Sequence, residues 1–127
     1  MIEFHRDHTR PAKGQVFVFG SNEAGIHGAG AAALALEYGA EWGKGVGHYG
    51  MTYAIPTKDR NVETLNLSKI RPYIVDFVAY TKAHPELQFF VTRVGCGLAG
   101  YEDYQIAPLF KGAQHCSFPE TWEQYVK

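Results

Sequence analysis

The chain has 127 residues, 46% hydrophobic and 20% charged, with twelve Lys and Arg against thirteen Asp and Glu. That is one domain's worth of sequence with apolar material for a core, and eight Phe, eight Tyr and two Trp exclude a disordered composition. Near-zero net charge disfavours a nucleic-acid partner, and no stretch reaches membrane-spanning length.

In chain order, the first fourteen residues are a polar lead-in with a short strand at 2–4. Residues 15–19, Gln-Val-Phe-Val-Phe, are a β-branched and aromatic run that predicts a strand buried on both faces. A glycine-rich loop over 20–30 follows, then an alanine–leucine helix over 31–38 with Gly39 as its C-terminal cap. Residues 42–50 form a second loose region holding Gly43, Gly45, Gly47 and Gly50. A short strand at 51–55 ends at Pro56, and 57–61 is a polar loop. Ile70, Ile74, Phe77, Val78 and the methyl of Thr81 fall at helical spacing, so a helix spans about 68–84, with Pro72 in its first turn and Pro85 at its stop. A strand at 87–92 runs into a second glycine-rich loop, 94–101. A helix within 103–112, complicated by Pro108, precedes a docked tail with a short helix at 119–126.

Strands alternating with helices predict a single layered α/β domain over 1–127. Ligands in such sheets settle at the carboxyl ends of the strands, where both glycine clusters lie. Glycine admits positive φ and lets backbone N–H groups approach a ligand unobstructed, and a helix N-terminus beside such a loop favours an anion. The spacing Gly25-x-x-Gly28-x-Gly30 is neither the dinucleotide fingerprint nor a P-loop, and tight turns with close helix packing would also explain it. Two such loops in a short chain favour a phosphate or diphosphate cradle.

Around these loops, Asn22 has an amide suited to a sugar hydroxyl, or to capping a turn. His27 is the histidine suited to acid–base work or to orienting a ligand, with His48 a lesser candidate. Thr57 and Lys58 border the same region, and Tyr101 is placed to stack on a base or close the pocket. Cys96 lies between two glycines with no base in view, so it reads as a small residue in a crowded turn. The six histidines show no zinc-like spacing, and neither a metal nor a cofactor is expected. Cys96 and Cys116 lie in dissimilar contexts and the N-terminus has no signal-peptide run, which predicts free thiols and a cytoplasmic location.

Three segments together resemble a macrodomain, the family that binds ADP-ribose, and in particular the small macro-like proteins of bacteriophages and bacteria. They are Val16 to Asn22 with Gly25 to Ala31, then Tyr53-Ala54-Ile55-Pro56-Thr57, then Phe89 to Thr92 with Val94 to Tyr101. The resemblance implies a three-layer fold, a mixed and mostly parallel sheet flanked by helices. It also implies a small-molecule ligand of the ADP-ribose type and either simple binding or hydrolysis of ADP-ribosyl compounds. Carried onto this chain, Ser21, Asn22, Gly25, Gly28, Ala29, Gly30 and Ala31 would meet the distal ribose and adjoining phosphate. Thr57 would border the site, and Gly95, Cys96, Gly97, Leu98, Ala99, Gly100 and Tyr101 would cover the diphosphate. Asn22 and His27 would be the groups nearest catalysis. The family's early Gly-Asp-Ile-Thr-like element is absent, Asp7 being the only acid nearby. A non-catalytic module sequestering a nucleotide signal, and a structural or nucleic-acid-binding domain, are the alternatives.

Overall fold

In the computed structural model, which describes residues 2–127, the β-branched and aromatic run becomes the central strand β2 (Gln15–Asn22). Val16, Phe17, Val18 and Phe19 are all buried, as a strand covered on both faces requires. Parallel neighbours flank it, β4 (Thr52–Lys58) on one side and β5 (Gln88–Val91) on the other. Beyond β5, β6 (Cys116–Pro119) lies between it and β1 (Ile2–His5), again parallel. At the opposite edge β3 (Gly47–Tyr49) runs antiparallel to β4. The order across the six strands is β1-β6-β5-β2-β4-β3. The domain is therefore α/β with a mostly parallel sheet.

Alternate residues of β2 enter different cores. Val16 and Val18 face the larger one, built with α2 (Leu67–Ala83), α3 (Asp103–Ile106), its 3-10 continuation Ala107–Phe110, and α4 (Glu123–Val126). In α2, Asn66 caps the start by accepting from the Lys69 N–H, and Ile70, Ile74, Phe77 and Thr81 are buried at helical spacing. Phe17 and Phe19 face the smaller core, with Ala54 and Phe90. There the only helix among the described residues is α1 (Gly30–Ala35), six residues long and continued by a 3-10 turn, Leu36–Tyr38, to the left-handed Gly39.

Several elements differ from their sequence expectation. Strand β4 continues through Pro56. Its pairing with β3 stops at Ala54, so Pro56 lies where the strand has one neighbour, the edge condition that tolerates a missing N–H. Pro72 is the sixth residue of α2, exposed and inside the helix rather than in its first turn. Strands β3 and β6 arise from segments that read as a loose region and as a tail. His48, the lesser histidine candidate, is a clasp on β3: its Nε2–H donates to the Gly50 carbonyl (2.8 Å) and its Nδ1 accepts from the Tyr80 hydroxyl of α2. Both cysteines are free, and no helix among the described residues is long and apolar enough to cross a membrane.

Trp122 locks the C-terminal segment to the larger core. It is fully buried against Phe110 and Phe118, and its Nε1–H donates to Asp103 (2.7 Å). Trp122→Ala is expected to cost about 3–5 kcal/mol, seen as a lower urea midpoint at unchanged slope.

Candidate functional site

One short helix leaves part of the smaller face open, and a cleft of about 680 Å³ occupies the gap. Its floor is Phe17 of β2 and Phe90 of β5, neighbours in the sheet register with ring centroids 6.3 Å apart. Ala31, Ala32 and Leu34 of α1 form a wall. Phe90 also stacks on His5 (3.8 Å between centroids), whose Nδ1 is 2.8 Å from the Ser117 hydroxyl. Burial pulls the His5 pKa below its ordinary value, only partly offset by Asp7 and a backbone hydrogen bond at Val91, so the ring is neutral near pH 7.

The cleft runs from the segment after β1 to the end of β4, strands that β6, β5 and β2 separate in the sheet. Along it the two glycine-rich loops meet. Gly28, Ala29, Gly30 and Ala31 come from the first, Gly95, Cys96, Gly97, Leu98 and Ala99 from the second, and Thr57 and Lys58 from β4. Leu98 is 71% exposed, and its Cδ1 stands 3.6 Å from where a Cβ on Gly30 would point. A Cβ at Gly28 or Gly97 would meet nothing within 4 Å, and neither residue has positive φ. Glycine at these two positions serves the open cleft rather than the fold.

Other sequence candidates have different roles. Asn22 borders the cleft, but its amide spans its own loop: Nδ2 donates to the Ile26 carbonyl (2.7 Å) and Oδ1 accepts from the Ile26 N–H (2.8 Å). The Ser21 hydroxyl is likewise spent on the Gly45 carbonyl. His27 does not line the cleft. It is 1% exposed, packed between Phe19 and Trp42, with Nε2 against the carbonyls of Glu41 (2.9 Å) and Lys44 (3.1 Å). Gly25 serves packing: at φ 72°, a Cβ there would lie 2.3 Å from the Lys44 nitrogen. Gly100 forms the turn back to Gly97, and Tyr101 points its hydroxyl at the Leu65 carbonyl, so neither lines the cleft. Residues 41–45, packed behind the first loop, turn the Ser21 and His27 side chains away from the cleft.

Sequence reasoning missed the end of the cleft beyond β1, where Asp7, His8, Thr9 and Arg10 join the lining. Their position just past a strand's carboxyl end was the available signal. Arg10 reaches Glu37 (3.5 Å) and the Tyr38 hydroxyl (3.3 Å). Arg93 bridges Asp7 (3.4 Å) and Asp103 (2.9 Å). Arg10 and Arg93 are thus balanced by Glu37, Asp7 and Asp103, whereas among the described residues the Lys58 ammonium, also in the lining, has no ion-pair or hydrogen-bond partner. Burial, with Asp103 nearby, pushes the Cys96 thiol up to about 12, which keeps it protonated and a poor nucleophile. No group of three His, Cys, Asp or Glu among the described residues is arranged to hold a metal ion.

No protein-family model, curated protein or solved structure matches the chain.

Two expectations follow from this geometry. Gly28→Ala and Gly97→Ala should each change stability by less than about 0.5 kcal/mol, whereas Gly25→Ala should cost at least about 2 kcal/mol; chemical denaturation of the three variants distinguishes them. Asp103 supplies a pH dependence. Burial alone would raise its pKa, but hydrogen bonds from Arg93 and Trp122 outweigh that and hold it below the ordinary 3.8. Its stabilising share is present above that pH and is lost as pH falls through the lower folded-state value. Urea midpoints should therefore drop below about pH 4 in the natural chain, and drop less steeply in Asp103→Asn.

Proposed function

We propose that this chain binds a nucleotide diphosphate-sugar of the ADP-ribose type in the cleft, in the manner of a macrodomain. The observation that carries the reading is the convergence of the two glycine-rich loops on one cleft with an aromatic floor. The volume, about 680 Å³, falls in the range of small-molecule sites. The half-buried neutral His5, backed by the buried Phe90 on which it stacks, offers an aromatic edge to a base, and Asp7 is the nearby carboxylate able to accept from an exocyclic amine. Gly28 and Gly97 leave backbone amides accessible to phosphate oxygens, and the unpaired Lys58 ammonium suits a diphosphate.

Capture without hydrolysis is the favoured form. Attack on the ribose would need a group to orient or activate water. The Asn22 amide is occupied within its loop and the His27 ring is packed behind it, while the Cys96 thiol stays protonated. A sequestering or reading module needs none of these groups free.

Titration calorimetry with ADP-ribose, against AMP and ribose 5-phosphate, tests the reading. Saturable binding of ADP-ribose is expected, with Gly28→Val weakening it at least about tenfold while melting normally. Equal binding of all three compounds, or none, would remove the diphosphate-sugar assignment. Release of free ADP-ribose from an ADP-ribosylated protein would overturn the capture form.

A further inference from the structure

We propose that His27 is the positioning residue of the cleft: through Nε2 alone it ties the ligand-facing loop to the backbone of residues 41–45. The effect on affinity rests on the binding reading above, whereas the tie itself does not.

The first glycine loop stands on a second layer of backbone. The Gly43 N–H donates to the Gly25 carbonyl (2.9 Å), and the Ser21 hydroxyl donates to the Gly45 carbonyl. No side chain fits between the layers: a Cβ on Gly45 would lie 2.0 Å from the Asn22 carbonyl oxygen. His27 is the one titratable side chain buried within this seam. Its Nε2 faces two carbonyl oxygens, which only a donor satisfies, so the proton is on Nε2 and is shared between Glu41 and Lys44. Its Nδ1 is buried and has no partner among the described residues.

An unpartnered buried acceptor is costly, and phenylalanine would fill the same space between Phe19 and Trp42 without it. What imidazole adds is the Nε2 donor. The neighbouring residues Ile26 and Gly28 both line the cleft, so a displacement of His27 passes across one peptide bond to the backbone a ligand would meet. Binding is sensitive to such displacements because pre-organised donors lose their geometry together.

The test compares His27→Gln, His27→Asn and His27→Phe in the full chain. A glutamine amide nitrogen falls near the position of Nε2, whereas an asparagine nitrogen falls near Nδ1, where no partner waits. Hydrogen exchange of the 26–31 amides without ligand should quicken at least about tenfold in the Asn and Phe variants and remain near the natural rate in Gln. Affinity for ADP-ribose should follow the same order, lost about tenfold or more in Asn and Phe and rescued in Gln. Natural exchange rates in the Phe variant, or failure of Gln alongside Asn at equal melting temperature, would overturn the proposal. Nitrogen NMR of the unmodified chain checks it without any variant: a slowly exchanging Nε2–H supports it, and an Nδ1–H tautomer refutes it. If ADP-ribose fails to bind the natural chain while exchange and tautomer behave as expected, the ligand reading falls and the tie stands.

Discussion

A mostly parallel sheet has to be covered on both faces, and this chain has helix enough for only one. The seventeen residues of α2, with α3, α4 and the 3-10 segment between them, fill the face that carries Val16, Val18 and Phe89. The other face has a six-residue helix and a single 3-10 turn. Phe17 and Phe90 are nonetheless buried, Phe17 beside Tyr38 at the end of the 3-10 turn and Phe90 beneath the stacked His5 ring. The cavity is the unfinished half of the fold, and its apolar floor follows from the same alternation along β2 that builds the core.

Glycine does two unrelated jobs around that cavity. At Gly25 and Gly45 the missing side chain lets one loop rest directly on another, backbone to backbone. At Gly28 and Gly97 it leaves space that the fold does not need filled. The first pair makes the rim rigid and the second makes it accessible. A binding site built from backbone groups needs both, since exposed amides hold a useful geometry only when something behind them cannot shift.

Local pattern reveals part of this. The dense apolar runs at Val16 to Phe19 and Phe89 to Val91, and the helical spacing from Ile70 to Thr81, identify the centre of the sheet and its main helix because burial there is dictated by neighbours in sequence. Edge elements are less legible. Strand β3 is three residues long and embedded among glycines, and β6 contains Pro119, so each depends on a pairing partner that no local pattern shows. The glycine loops were legible as loops, and so was their position at strand ends. The orientations of His27 and Tyr101 were not, because the carbonyls of Glu41, Lys44 and Leu65 that hold them lie far away in sequence. For the same reason the polar stretch from Asp7 to Arg10 read as a lead-in: only the fold brings it over the aromatic floor.

The position of β6 has a consequence for how the domain assembles. Ile2 of β1 pairs with Cys116 of β6, and among the described residues β1 has no other strand beside it. Strand β1 therefore has no place in the sheet until β6 has formed. Until then His5 lacks its Ser117 partner, and the aromatic end of the cleft lacks one of its borders. The glycine loops, carried by β2 and β5, can be in place before that. The two ends of the cleft thus depend on different strand pairings, and a chain that has formed only its central strands has an incomplete cleft.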